Sequence, residues 1–362
     1  MQNTNTSLIV KELLSPPLDK SGWPWTEQSQ PLPERMSDGS EWPRISIVTP
    51  SYNQGQFIEE TIRSVLLQGY PNLEYIIIDG GSSDNSVKII KKYEQYLSYW
   101  VSESDKGPTD AINKGWQKTS GEIIAYLNSD DAYLPGALAA VAEAFQQHQG
   151  AIAICGNELK INSEGFVLEE SNIKKADHLS LLNLNFIPQP ATFVKKSTLD
   201  LAGGLDLKVK YTFDFELWLR ITRLGSINCI PNLLAVTRWH NDTITVTRRS
   251  EIGSELVRII TNEIATYLPE LTPTEKQQIR LNVNRLALNL HLENKKVISS
   301  TKYSLAVLWL SPNFGSLIEI IKHYYRTLLY PIFFIIKRNN LDPVMSESHH
   351  WSFITEFIQD KK

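Results

Sequence analysis

The chain has 362 residues, enough for one large domain or two modest ones with a sizeable core. Hydrophobic residues make up 42% and charged residues 21%, with 18 Gly and 18 Pro, which excludes a disordered, collagenous or coiled-coil chain. A net charge of −4 offers no global positive field for a phosphate backbone, so no nucleic-acid partner is expected.

Met1 to Ser7 is polar and the apolar run Leu8 to Val10 is short, so no secretory leader is expected. From Ser15 to Pro43 the chain is rich in Pro, Ser and Trp without helical or strand period, and reads as an extended arm. Trp23, Trp25 and Trp42 are costly to leave in water, so the arm is expected to pack back on the protein. From Arg44 short β-branched runs alternate with helical-period segments, the mark of βαβ units and a mostly parallel sheet. Strands are predicted at 45–49, 73–79, 99–102, 122–127 and 152–155, and helices at 57–68, 84–97, 109–118 and 136–148. The run Tyr75 to Ile78 is too continuously apolar for a one-faced sheet and calls for helices on both sides. A hairpin is expected over 160–169 with its turn at 163–165, then a helix at 215–224, a strand at 226–230, and mainly helix from Glu251 onward. This divides the chain into an arm (1–43), a catalytic domain (44–248) and a helical C-terminal region (249–362).

Cys155 and Cys229 stand outside any CxxC or Cys/His spacing and read as buried thiols of a reducing cytosol. The longest strongly apolar run, 328–336, is broken by Pro331 and far short of the roughly 20 residues a span requires. A cytoplasmic location is therefore expected. Beyond Thr301, apolar and aromatic residues recur at spacings of three and four among Lys322, His323, Arg326, Lys337 and Arg338. Two readings stay open for this face: packing on the catalytic domain or a homodimer partner, or peripheral contact with the cytoplasmic leaflet of the inner membrane, with Phe333, Phe334 and Ile335 at the interface.

In open α/β sheets ligands bind beyond the carboxyl ends of the strands. Four predicted strands end there in polar clusters: Pro50 to Asn53, Asp79 to Asp84, Glu103 to Gly107, and Asn128 to Asp131. Asp79 before two glycines either accepts hydrogen bonds from a ligand or caps the next helix with Ser82 or Ser83. Adjacent Asp130 and Asp131 repel unless solvated, capped or bound to a cation, and a hard divalent ion commonly bridges such carboxylates to phosphates. Asp214 opens an apolar-faced helix and is either its cap or a base aimed at an attacking hydroxyl. The sequence has no GxGxxG after the first strand, no Walker lysine loop, no GxSxG and no HExxH.

In this order, ISIVTPSYNQGQFIEETIRSVLLQ (45–68), YIIIDGGSSDNS (75–86), DAINKGWQKTSGEIIAYLNSDD (110–131), FDFELWLRI (213–221) and RWHNDTIT (238–245) resemble the family 2 glycosyltransferases. The resemblance covers about residues 44–248 and implies the GT-A fold, a Rossmann-like α/β architecture with a mostly parallel central sheet flanked by helices. It implies an inverting hexosyl transfer from a nucleotide-diphosphate sugar, foremost a UDP-sugar, to a saccharide or lipid-linked acceptor in polysaccharide or glycan synthesis. Pro50, Tyr52 and Asn53 would line the nucleotide pocket, Asp79 would contact the base, and the segment from Asp110 to Asn113 would close over the nucleotide. Asn128 and Asp130 would fill the ends of the DXD metal motif, with Asp131 beside them and Asp130 ligating Mg²⁺ or Mn²⁺. Asp214 would be the general base, supported by Trp218 and Arg220, and His240 would approach the diphosphate or metal. Three departures stand out: Asn128 replaces the first acid of DXD, Phe213 stands where an acidic neighbour is usual, and Gly80 follows Asp79 where many members carry a second aspartate. A sugar-phosphate nucleotidyltransferase would need a Gly-rich, Arg/Lys-bearing loop in place of Pro50 to Gly55. A non-catalytic sugar-binding protein on the same fold is the other alternative.

Overall fold

A computed structural model describes residues 13, 15–294, 296–313, 315–317, 320 and 324. Nine strands form one mixed sheet: β1 (Ile45–Ser51), β2 (Leu73–Asp79), β3 (Tyr99–Ser102), β4 (Ile123–Tyr126), β5 (Ala132–Tyr133), β6 (Ala153–Asn162), β7 (Val167–Glu170), β8 (Thr192–Lys195) and β9 (Asn228–Trp239). Their order is β3-β2-β1-β4-β8-β6-β9-β5, with β7 paired to β6. The first four strands run parallel; β8 is antiparallel to both β4 and β6, and β6 and β9 are again parallel.

The continuous apolar runs dictate the layers. Along β1 and β2, Ile45, Ile47, Tyr75 and Ile77 enter one core, while Val48, Ile76 and Ile78 enter the other. Helices α1 (Ile58–Leu66), α2 (Ser86–Tyr93) and α4 (Ala137–Gln147) cover the first face. The second face is covered by α3 (Pro108–Trp116), α7 (Phe213–Thr222) and α9 (Arg249–Tyr267), with the short α5 (His178–Leu182), α6 (Lys196–Ala202) and α8 (Ile244–Thr247) at the edges. Helix α3 rides close on the sheet, since a Cβ on Gly115 would lie 2.3 Å from Val48 Cγ1. Trp23, Trp25 and Trp42 of the arm are buried in the first core, where Trp23 Nε1 donates to Tyr133 O at 2.8 Å. The arm also supplies the carbonyls of Pro24 and Trp25 to the buried Arg63 guanidinium, at 2.9 and 2.7 Å.

Several elements exceed or escape the sequence reading. The strand predicted at 226–230 continues as β9 to Trp239, because a register shift against β6 accommodates Pro231, whose carbonyl accepts from Asn157 Nδ2 at 3.0 Å. The segment read as 152–155 is the first part of the ten-residue β6. Strands β5 and β8 and helices α5 and α6 were not anticipated, being too short to show a period. Cys155 and Cys229 lie opposite one another on β6 and β9 as free thiols, and burial pushes the Cys155 thiol well up.

Beyond the sheet, α9, α10 (Pro273–Glu293) and α11 (Val297–Leu310) pack as successive neighbours around Leu288, Leu292, Tyr303 and Val307. Thr272 and Glu275 form a capping box at the start of α10. Among the described residues no helix is long and apolar enough to cross a membrane. Lys322, His323, Arg326, Phe333, Phe334, Ile335, Lys337 and Arg338, on which the membrane reading rested, lie outside the described residues.

Candidate active site

The carboxyl ends of β1, β2 and β3 are level, with Ser51 opposite Asp79 and Asp79 opposite Ser102. Pro50 is buried in β1, and Tyr52 and Asn53 follow it on the exposed rim, with Tyr52 63% exposed. Asn53, at φ 52°, accepts from Ser83 N at 2.9 Å, and its own N–H donates to Ser82 Oγ at 2.8 Å. This ties the loop after β1 to the loop after β2.

Asp79 is fully buried. Its Oδ2 accepts from Gly81 N at 3.1 Å, Ser82 N at 2.9 Å and Ser102 Oγ at 2.6 Å, and its Oδ1 accepts from Ser82 Oγ at 2.5 Å. Four donors saturate the carboxylate, which thereby binds β2, its loop and β3 together. Asp110 lies at the start of α3, where Oδ2 accepts from Lys106 N at 3.1 Å and pairs with Lys114 Nζ at 3.5 Å. Asn113 exchanges two hydrogen bonds with the Leu205 backbone, donating at 2.8 Å and accepting at 3.0 Å. Asp79, Asp110 and Asn113 thus have their polar atoms engaged with the protein itself.

The 128–131 turn is different. Asp130 Oδ2 lies 3.0 Å from His240 Nε2. Asp242 N donates to His240 Nδ1 at 3.3 Å, which places the ring proton on Nε2, toward Asp130. The imidazole packs on Phe57, with ring centroids 5.0 Å apart. Asp131 points the other way: it is buried, accepts from Arg238 N at 3.0 Å and from Asn128 Nδ2 at 3.2 Å, and burial followed by the neighbouring Asp130 charge raises its pKa well above the usual carboxylate range. Asn128 Nδ2 also donates to Gln189 Oε1 at 3.2 Å, and Gln189 Nε2 donates to Tyr126 O at 2.8 Å. Thr61 Oγ donates to Asp131 O at 2.7 Å and Arg238 spans to Glu60 at 2.5 Å, so α1 and β9 clamp the turn from both sides.

Asp214 stands in the first turn of α7, whose N-cap residue, Thr212, makes no side-chain capping bond. Glu255, from α9, accepts from Lys210 N at 3.0 Å, Tyr211 N at 2.9 Å, Thr212 N at 2.9 Å and Thr212 Oγ1 at 3.0 Å. The Asp214 carboxylate meets the backbone N–H groups of Phe215 and of Asp214 itself, no side chain among the described residues donates to it, and burial raises its pKa. Burial, then the charges of Asp214 and Asp131, hold the Tyr126 hydroxyl far above its usual range, so the two acids flank the end of β4. Glu158 of β6, whose pKa burial also raises, accepts from Thr237 and lies near enough for the Asp214 charge to be felt. Arg220 pairs with Glu216 at 2.7 Å and donates to Gly204 O at 2.6 Å, fixing the loop before α7. Trp218 is buried in the second core.

Sequence reasoning missed Glu255 and Glu158, and gave Arg238 no role of its own within the 238–245 motif. Glu255 sits on an ordinary amphipathic helix and carries no local signal, while Arg238 and His240 alternate along the end of β9, a spacing that could have placed them on one side.

Among the described residues no three His, Cys, Asp or Glu side chains group to hold a metal. The Asp130 carboxylate nonetheless fits a hard divalent cation that takes its remaining ligands from phosphate oxygens and water, as Mg²⁺ is usually held, while His240, with its proton on Nε2, donates to that carboxylate and positions it.

The family model described as glycosyl transferase family 2 matches residues 46–197. An uncharacterized glycosyltransferase of Mycobacterium tuberculosis is 31% identical over 206 residues, 56% of this chain and 77% of that protein. The crystal structure of S. aureus TarS 1-349 in complex with UDP-GlcNAc superposes with a TM-score of 0.56 at 17% identity, covering 83% of this chain and 94% of that one. The mannosyltransferase PcManGT from Pyrobaculum calidifontis, in complex with GDP-Man and Mn²⁺, gives a TM-score of 0.52 at 16% identity, covering 88% of each chain. A GT-A sheet with its polar rim, the matching family model and the mycobacterial relative lead to one conclusion: this chain belongs to glycosyl transferase family 2.

Proposed function

We propose that the protein transfers a sugar from a nucleoside-diphosphate sugar to an acceptor hydroxyl with inversion at the anomeric carbon, with Asp214 as the general base. The observation that carries this reading is the setting of Asp214 at the start of α7: its carboxylate meets only backbone N–H groups, of Phe215 and of its own residue, and no side-chain donor among the described residues, while Glu255 holds the preceding loop. The donor is assigned to the rim from Tyr52 and Asn53 to the 128–131 turn because ligands of open α/β sheets bind beyond the carboxyl ends of the strands, and the TarS and PcManGT structures of this fold were solved with UDP-GlcNAc and with GDP-Man. A divalent cation held by Asp130, whose carboxylate His240 positions, would neutralise charge on the diphosphate as it departs.

Asp214 takes the proton of the acceptor hydroxyl, the oxygen attacks the anomeric carbon, and the bond to the nucleoside diphosphate breaks with its electron pair on the leaving oxygen. A single displacement inverts the configuration. Asp79, Asp110 and Asn113 act behind the rim, holding the loops in register. A protein made for hexosyl transfer in polysaccharide or glycan synthesis, at the cytoplasmic side of the membrane, is consistent with this arrangement.

The test is a donor screen by calorimetry with and without Mn²⁺, followed by transfer assays of Asp214→Asn. Donor binding should persist in the variant while transfer falls roughly 10²- to 10⁴-fold, the usual contribution of a general base. Equal loss of binding and transfer would make Asp214 a scaffold residue.

A further inference from the structure

Helix α11 differs from its neighbours in composition. Its sequence VISSTKYSLAVLWL holds one Lys and no acid, and a helix so apolar on every side belongs in a core or against another apolar phase. One side meets that demand: Tyr303, Val307 and Leu310 are buried with Leu288 and Leu292 of α10. The other side faces water. Leu305 leaves 62% and Trp309 79% of its surface exposed one helical turn apart, and Thr301 and Lys302 are exposed in the turn before them. On α10, by contrast, the exposed positions hold Thr, Glu and Gln, besides Pro273 at its start.

Charge selects what covers this face. Residues 295–340 hold seven Lys or Arg and one acid, Glu319, in a chain whose net charge is −4. A second copy would set the same basic patch against itself across a two-fold axis, where like charges repel. The chain's own continuation through 340 is basic as well and supplies no opposite charge. An apolar phase with an anionic boundary answers both the exposed Trp309 and Leu305 and the excess of positive charge.

We infer that the outer face of α11 docks on an anionic lipid surface, with Trp309 and Leu305 at the boundary between headgroups and acyl chains and Lys302 among the headgroup phosphates. Trp suits that depth because its ring is apolar and its N–H is polar, and the Lys stem covers apolar surface while its ammonium stays with the phosphates. Here the stem lies along Tyr303, with Nζ 4.6 Å from the ring centroid. The docked face is also tied to the catalytic domain. Tyr303 OH donates to Ser254 Oγ of α9 at 2.8 Å, and the next residue, Glu255, holds the loop before Asp214. Docking through α11 therefore sets the catalytic domain at a fixed place on the lipid surface.

The experiment is co-sedimentation of the full chain with vesicles of phosphatidylcholine alone or mixed with phosphatidylglycerol, at low and at high salt, alongside Leu305→Ser/Trp309→Ser and Lys302→Glu. The wild type should bind the anionic vesicles about tenfold or more tightly than the neutral ones, and the difference should shrink as salt rises. The double variant should lose roughly tenfold or more, the scale of withdrawing large apolar side chains from burial. Lys302→Glu should lose roughly fivefold on anionic vesicles and keep its weaker binding to neutral ones. Both variants should melt with the wild type, because the replaced side chains are exposed, which separates loss of docking from loss of fold. A wild type that leaves anionic vesicles unbound, or a double variant that binds them as the wild type does, overturns the inference. Light scattering that shows a dimer made monomeric by Leu305→Ser/Trp309→Ser overturns it as well, since a second copy would then occupy the face.

Discussion

Two aspartates at opposite ends of the rim exchange the roles their local sequences suggest. Asp79, placed after an apolar strand and before two glycines, has the setting of a ligand contact, yet its carboxylate accepts four hydrogen bonds inside the protein. Asp214, in the first turn of α7, has the setting of a helix cap, yet it is not the N-cap residue and its carboxylate meets only the backbone N–H groups of Phe215 and of Asp214 itself, while Glu255 from another helix holds the loop before it. The lesson is one of saturation. A carboxylate whose lone pairs are all taken by backbone and hydroxyl donors inside the protein is suited to joining loops, and one that is desolvated and only partly filled keeps lone pairs for a proton.

The comparison can be broken most directly at Asp214. Asp214→Asn should lower the rate of transfer roughly 10²- to 10⁴-fold with donor affinity kept, measured by single-turnover assay and calorimetry. Asp79→Ala should instead act on the fold, costing roughly 3–5 kcal/mol by denaturant titration, because buried donors of the loop lose their acceptor. If Asp79→Ala folds normally and loses only nucleotide binding, the assignment of Asp79 as a joint fails. Glu255→Gln should cost about 1–2 kcal/mol of stability and lower transfer less than Asp214→Asn does, since the loop loses a charged acceptor while the base itself remains.

The smallest effect is a dependence on pH. Burial raises the Asp214 pKa above its ordinary 3.8, so transfer should climb with pH along an acid limb displaced upward from that value, a limb absent from the residual activity of Asp214→Asn. The sign for stability follows from the same shift. A carboxyl raised in the folded state favours folding most while protonated and loses that contribution as pH rises through the folded pKa. Asp214→Asn should therefore melt slightly higher than wild type near neutral pH, with the difference disappearing below about 3.8, where the unfolded group is protonated too. Coincident melting at all pH values would show that Asp214 is not desolvated.

Much of the architecture is legible in the chain because it rests on local pattern. The unbroken run Tyr75 to Ile78 requires apolar cover on both faces, and the two cores divide its residues alternately. The arm's tryptophans likewise announce a packed segment, and all three are buried. Asp130 and His240 stand on separate motifs and meet at 3.0 Å, a contact that their spacing along the chain does not report. Where the pattern is interrupted, the reading stops too early, as at Pro231, because a proline signals a strand end unless a partner strand shifts register around it.

By itself, then, the sequence determined the family, the two-sided sheet and the short list of carboxylates at its rim, since hydrophobic period and motif order are properties of neighbouring residues. Only the tertiary structure decided which of those carboxylates are engaged. Their partners come from distant segments: Ser102 for Asp79, His240 for Asp130 and Arg238 for Asp131. A hydrogen bond is decided within about 3 Å, and no spacing along the chain reports which remote donor will arrive there.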